Sequence, residues 1–475
     1  MNLLNYNHRL FVLVSILLLA LTLTFVACGD DDDEDDDNND DQPPDDDTVD
    51  DDTGDDDDND DTGDDDDDDW EPVPPHRETY EGWTIVWLSG TPYEMGFQQG
   101  ELLHDELAAG YDWLNQYHLI DLLLPLARLL KLTDLAYDNS YPDIIEECQG
   151  LVDAAADTGW EMDICMLLNF GDILVEFLTD GYPPALLPFP QACTQFAATG
   201  EATTDGSTLH GRSLDWSKID YLIDYPVVFV RQPSDGIPHA YIGFPGNLSP
   251  YSGMNAAGVS LASNEVDPID NSVHDRVGRS HVQMQAQILK YAGSIDEARE
   301  FVESQDHMTV EIIMGADGIN NKANVYEMSA ANIGVRNFTD DVLYTTNHFN
   351  APETINDDEE AGTGTSLRYL RLSQYLEPDG EDSVWGEIDL ETMVTILRDH
   401  TNAETGEVYD PYDFDNDRSI ATNGAIYQIV FDPGTLRFWA AAGAIPVPLQ
   451  SFVGFSLGEL LGYDDAVPCD PLIIE

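Results

Sequence analysis

The chain has 475 residues, with 94 Asp and Glu against 18 Lys and Arg and a formal net charge of −76 at pH 7. Binding nucleic acid requires clustered cations to displace counterions, so this balance excludes nucleic acid as a partner, and it repels polyanionic substrates. The length is ample for a large buried core.

In chain order, residues 1–27 read as an export signal: a short polar start carrying only Arg9, then an apolar run from Leu10 to Ala27. Small Ala27 before Cys28 resembles the lipobox of bacterial lipoproteins, with Phe25 where leucine is usual. The expectation is a lipidated Cys28 on an exported, membrane-anchored protein, periplasmic or at the cell surface. Residues 28–69 hold 28 of the 94 acidic residues and almost no apolar side chain. Such a segment cannot bury enough surface to fold, so it is predicted to be a disordered tether.

Residues 70–192 are predicted to be mainly helical. "YEMGFQQGELLHDELAAGYDWL" and "PDIIEECQGLVDAAADTG" repeat apolar residues every three or four positions, and Pro142 suits a first helical turn. Cys148 falls on the apolar face of the second segment and Cys165 sits in "MDICMLLNF", so both read as core. With Cys193 and Cys469 they could form two disulfides, one or none.

A Pro-rich loop, "YPPALLPFPQA", leads to Cys193, and from there the pattern changes to strands. "PVVFVRQ", "HAYIGF", "TVEIIMGAD", "KANVYEMS", "DVLYTTNHF" and "AIYQIVFD" are bounded by Gly, Asn and Asp turns. Helical blocks around Ser280–Glu303 and Leu367–Arg398 interrupt them. This order predicts a layered α+β domain over residues 193–475. "CTQFAAT" and "STLHGRSLDW" flank an Asp-Gly turn, so an antiparallel return brings Arg212 and Asp215 close to Cys193.

Several segments in one order carry a family resemblance: "GTPYEMGFQQGELLHDEL", "EECQGLVDAAADTG", "CMLLNFGD", "ACTQFAATGEATTDGSTLHGRSLDW", "GMNAAGVSLASNEV", "YTTNHF", "SLRYLRL" and "YQIVFDPGTLRFWAAAGAIP". In these the chain resembles the acyl-coenzyme A:isopenicillin N acyltransferase family of self-processing enzymes, and more distantly acid ceramidase and penicillin V acylase or bile-salt hydrolase. These are N-terminal-nucleophile hydrolases. The resemblance implies a four-layer αββα sandwich and self-cleavage between Ala192 and Cys193, leaving associated α- and β-chains of residues 28–192 and 193–475.

By the same resemblance Cys193 would be the nucleophile and its freed α-amino group the base. Asp215 would orient that amine, and Arg212 would lower the thiol pKa or hold substrate. Asn347 would supply the oxyanion hole, with Asn264 as a second contributor. Arg368 would support the site, although Leu367 stands where relatives often have Ser. The implied substrate is a small amide or N-acyl compound, and no cofactor is called for. Two other readings stand beside this one: a Cys–His hydrolase using His210 or His348 without chain cleavage, and a surface-displayed binding protein. The histidines show no metal-ligand spacing, so no metal site is expected. "DPYDFDNDRS" reads as a solvated acidic loop.

Overall fold

The structure is a computed structural model that describes residues 70–116, 119–171, 192–216, 220–359, 361–412 and 416–475. The predicted signal, Cys28, the acidic tether and most of the Pro-rich loop lie outside these residues. All the described residues fall in one compact unit.

The chain enters through β1 (His76–Tyr80) and β2 (Trp83–Gly90). The described residues then give α-helices α1 (Pro92–Leu102), α2 (His104–Gln116), α3 (Leu124–Leu129), α4 (Leu132–Asn139), α5 (Pro142–Ala154) and α6 (Met162–Phe170). Helix α1 starts where Thr91 and Glu94 cap each other's backbone N–H and Pro92 occupies the first turn. Helices α1 and α5 cross at glycines, since a Cβ on Gly150 would collide with the carbonyl oxygen of Tyr93 and one on Gly96 with that of Glu147. Cys148 and Cys165 are core residues as expected, and they also form a disulfide that ties α5 to α6.

After Cys193 come β3 (Thr194–Ala198), β4 (Leu209–Asp215), β5 (Val227–Pro233), β6 (His239–Gly243), β7 (Ser252–Asn255) and β8 (Val259–Glu265). The first predicted helical block is two helices, α7 (His281–Tyr291) and α8 (Ile295–Glu303), followed by β9 (Glu311–Asp317), β10 (Lys322–Met328), β11 (Ile333–Asn337) and β12 (Val342–Thr345). The second block is also two helices, α9 (Thr363–Leu376) and α10 (Leu390–Leu397). Strands β13 (Ala425–Asp432), β14 (Arg437–Ala441), β15 (Phe452–Ser456) and β16 (Ile473–Ile474) complete the chain.

Two sheets result, a nine-stranded one ordered β1-β2-β5-β6-β7-β8-β9-β10-β11 and a seven-stranded one ordered β12-β3-β4-β13-β14-β15-β16. Their facing sides pack together. Leu214, Ile429, Phe431 and Phe438 meet Ile85, Val228, Val230 and Ile242, and farther along Ala197 and Leu343 meet Ile312 and Met314. On the other side of the seven-stranded sheet, Phe196, Leu209 and Val430 pack on Leu372 of α9 and Met393 and Leu397 of α10. The outer side of the nine-stranded sheet packs Leu261, Ile313 and Tyr326 on Ile288 of α7 and Ile295 and Val302 of α8. Helix, sheet, sheet, helix is the αββα order expected.

The segment before Cys193 is not only helical. Its β1 and β2 join the nine-stranded sheet, with β2 lying parallel to β5. The burial of "WTIVWLSG" accounts for the missed strand, because consecutive residues from Ile85 to Leu88 are all buried and leave no two-residue alternation to read. Among the described residues no helix is long and apolar enough to cross a membrane.

Candidate active site

Strands β3 and β4 pair antiparallel with Thr194 opposite Ser213, Gln195 opposite Arg212 and Ala198 opposite Leu209. This register sets Cys193, at the foot of β3, beside the end of β4. Residues two apart share a face, so Cys193 and Gln195 point between the sheets together with His210, Arg212 and Leu214. The hairpin read from the sequence is therefore present, and it gathers three of the candidate residues.

Cys193 is a free thiol, 5% exposed. Its Sγ lies 3.6 Å from the Asp215 carbonyl oxygen and 3.9 Å from Arg212 Nη2. Burial pushes the thiol pKa up to about 11, with the Arg212 guanidinium pulling the other way. Arg212 is held in turn, donating through Nη2 to the Ser263 carbonyl at 2.7 Å and lying 5.5 Å from the Tyr427 ring centroid.

Asp215 accepts hydrogen bonds from the hydroxyls of Ser213, at 2.5 Å, and Thr422, at 2.8 Å. Burial raises its pKa to about 6, against the pull of these hydroxyls and of Arg368 and Arg212. Thr422 comes from the approach to β13, 207 residues away in sequence. No motif pointed to it.

Arg368, on α9, is fully buried and crosses to β3. Its Nη1 donates to the Cys193 carbonyl at 2.6 Å and to Thr194 Oγ1 at 3.2 Å, Nη2 donates to Asn347 Oδ1 at 2.9 Å, and Nε to the Asp417 carbonyl at 3.0 Å. Arg371, one turn on, is paired with Asp382 and Asp399 instead. Of the two arginines it is Arg368 that reaches the Cys193 backbone.

The two asparagines stitch the sheets together next to the thiol. Asn347, just past β12, donates through Nδ2 to the Glu265 carbonyl at 2.8 Å, while Asn264 on β8 donates to the Thr346 carbonyl at 2.9 Å. Gln195 adds a third stitch by donating to Asn264 Oδ1 at 2.7 Å. The Thr365 hydroxyl accepts from the Asn347 backbone N–H and contacts the His348 ring. In this state both asparagine amides are engaged with backbone. Glu265 takes one of the two N–H hydrogens of Asn347 Nδ2.

All six candidate side chains are thus at one end of the sandwich, joined through the contacts above. The two histidines proposed as alternative bases make no hydrogen bond to Cys193. His210 bonds Ser260, with its pKa lowered to about 3 by burial and by Arg212, and His348 bonds Thr365 and Thr346, with its pKa lowered to about 4 by burial and by Arg368. Among the described residues no three His, Cys, Asp or Glu side chains are grouped so as to hold a metal ion. Beside the site Leu214, Trp216, Ile242, Tyr251, Ile426 and Tyr427 line a small apolar hollow of about 20 Å³.

Comparison with known proteins gives the following likenesses. Residues 202–444 match the family model described as acyl-coenzyme A:6-aminopenicillanic acid acyl-transferase. An uncharacterized protein of Archaeoglobus fulgidus is 25% identical over 406 residues, 77% of this chain, and the chain spans 64% of that relative's length. Among solved structures, an ortholog of N-acylethanolamine-hydrolyzing acid amidase from Caenorhabditis elegans is 18% identical, covering 51% of this chain and 93% of its own, with a TM-score of 0.36. The penicillin V acylase of Agrobacterium tumefaciens is 16% identical, covering 56% and 86%, with a TM-score of 0.37. The conjugated bile acid hydrolase of Clostridium perfringens is 14% identical, covering 56% and 93%, with a TM-score of 0.31. At these scores the fold description rests on the chain's own sheets and flanking helices.

Proposed function

The chain belongs to the acyl-coenzyme A:6-aminopenicillanic acid acyl-transferase family, and from that premise we propose that it is a self-processing amidohydrolase or acyltransferase with Cys193 as nucleophile. The observation that carries the reading is the convergence on Cys193 of Arg212, at its thiol, of buried Asp215, and of Arg368, at its carbonyl, with Asn347 held behind it. A merely structural cysteine needs none of these charged neighbours.

In the intact chain the Cys193 sulfur attacks the Ala192 carbonyl carbon. The new C–S bond replaces the C–N bond between the two residues, and the departing nitrogen takes a proton to become the α-amino group. Water then hydrolyses the thioester, leaving a carboxylate on Ala192 and a free thiol on Cys193. In the cut protein that amine accepts the thiol proton during attack on a substrate amide and returns it to the leaving amine. The acyl group stays on sulfur until water or a second amine removes it.

Each neighbour has a role that follows from its contacts. The Arg212 guanidinium favours thiolate against the cost of burial. Asp215, held by Ser213 and Thr422 at the end of β4, orients the α-amino group. Arg368 fixes the Cys193 carbonyl and so the backbone from which the nucleophile projects, and its hold on Asn347 Oδ1 fixes the orientation of the Asn347 amide. Asn347, with Asn264 behind it, stabilises the tetrahedral oxyanion through the N–H of Nδ2 that Glu265 does not take. The anionic surface disfavours polyanionic substrates. With the family's amide chemistry, the proposed substrate class is a small N-acyl amide.

Intact-mass analysis and N-terminal sequencing test the reading. Wild type should give a chain beginning at Cys193 that acquires an acyl adduct from N-acyl amides, while Cys193→Ala should remain one chain and be inactive. Turnover by that variant at the wild-type rate, or an active wild type that is never cut, would reject it.

A further inference from the structure

Thr345 of β12, Gln195 of β3 and Arg212 of β4 are direct register partners, so they stand side by side in one row across three neighbouring strands. All three are fully buried and face the nine-stranded sheet. Gln195 is anchored by its Nε2 on Asn264, and Arg212 by its Nη2 on the Ser263 carbonyl. Their remaining polar atoms are different: Gln195 Oε1, Thr345 Oγ1 and Arg212 Nε and Nη1 have no hydrogen-bond partner among the described residues. His210, two residues from Arg212 on the same face, adds an unpartnered Nε2 while its Nδ1 is 3.0 Å from Ser260 Oγ.

Buried polar atoms in folded proteins are nearly always hydrogen-bonded, and an orphan costs free energy comparable to a lost hydrogen bond. Here four such atoms stand in one row and complement one another. Arg212 offers two donors, Gln195 an acceptor, and Thr345 a hydroxyl that serves as either. They are carried by strands about 4.8 Å apart, a separation that one water spans when side chains do not meet directly. The row ends on β13 at Ile429, opposite Arg212, so the polar strip is closed on that side by an apolar side chain.

We propose that Thr345, Gln195 and Arg212 form a buried hydration site behind Cys193, and that Gln195 and Thr345 are positioning residues acting through its water. A bridging water supplies an acceptor to Arg212 Nε or Nη1, which fixes the plane of the guanidinium and keeps Nη2 directed at the thiol. Gln195 thereby acts twice, on Arg212 through water and on Asn264 directly. The water site stands independently of the enzymatic reading; only its consequence for turnover rests on Cys193 being the nucleophile.

A high-resolution crystal structure should show water within about 3.2 Å of Arg212 Nε or Nη1 and of Gln195 Oε1 or Thr345 Oγ1. A dry row, or direct bonds among these atoms, overturns the site. The positioning role is read from the pH dependence of Cys193 alkylation by iodoacetamide, measured on the peptide carrying that residue. Gln195→Leu and Thr345→Val should raise the apparent thiol pKa and slow alkylation below it by about 3- to 10-fold. An unchanged or lowered thiol pKa in folded variants overturns the role. If Gln195→Leu fails to fold, the near-isosteric Thr345→Val decides. Turnover by Cys193→Ala separately judges the enzymatic reading, so the two failures are distinguishable.

Discussion

Asp215 is the residue where burial and chemistry pull hardest against each other. Its folded pKa of about 6 lies above the ordinary carboxylate value, so the fold prefers the protonated form. The stability this preference confers is complete below pH 4 and is lost as pH rises through about 6. At neutral pH the wild-type fold therefore carries a buried charge that an amide would not impose. In the uncut Cys193→Ala background, Asp215→Asn is expected to add on the order of 2 kcal/mol of stability at pH 7.5 and none at pH 3.5, as followed by denaturant unfolding. With Cys193 in place, the same substitution should impair self-cleavage and turnover. A pH-independent stability difference would contradict the assigned burial cost. The nearness of Cys193, Arg212 and Asp215 was legible in the sequence because one hairpin carries all three, whereas their roles came from the family resemblance. Ser213 lay within that motif, yet its hydroxyl gave no sign of facing Asp215, and Thr422 is joined to the site only by the tertiary fold.

At the scale of elements, periodicity located the helices well and their interruptions poorly. The block from Ser280 breaks after Tyr291, where Ser294 caps a second helix by accepting from the Glu297 N–H. The later block breaks where Asp389 caps α10 by accepting from the Thr392 N–H. Such breaks depend on single polar residues that also occur within helices. The strand β2 escaped for the opposite reason, being apolar on both faces. Cys148 read correctly as core from its helix face, but its partner could not be chosen, since pairing depends on how α5 and α6 pack. The Cys148–Cys165 bridge closes a separation of 17 residues and should contribute about 3 kcal/mol by limiting the unfolded chain. Reduction with dithiothreitol is expected to lower the melting temperature of wild type and leave a Cys148→Ala/Cys165→Ala variant unaffected. Equal sensitivity of the two would assign the effect elsewhere.

For the whole molecule, the αββα order was legible from the family resemblance, whereas composition and strand spacing reached only a layered α+β domain. The sheet order shows why: β3 and β4 are central in one sheet while β5 to β8, next in sequence, belong to the other. No local pattern reports that change of sheet. We propose that Cys28 carries a lipid and that residues 28–69 hold the folded unit away from a membrane, motivated by the Ala27–Cys28 junction and the run of aspartates. Cys28→Ala should move the protein from the membrane to the soluble fraction on cell fractionation. Unchanged membrane association would point to retention of the apolar segment instead.

The parallel pairing of β2 with β5 has a consequence for the life history of the protein. While the peptide between Ala192 and Cys193 is whole, β2 finds β5 by an intramolecular search, and the connection costs only loop-closure entropy. After a cut the same pairing requires two separate chains to meet, at whatever concentration they happen to have. Assembly then becomes bimolecular: denatured wild type should regain structure at a rate that rises with protein concentration, whereas uncut Cys193→Ala should refold at a rate independent of it. The enzyme would be built to fold once, and its working lifetime would be set by how slowly it comes apart.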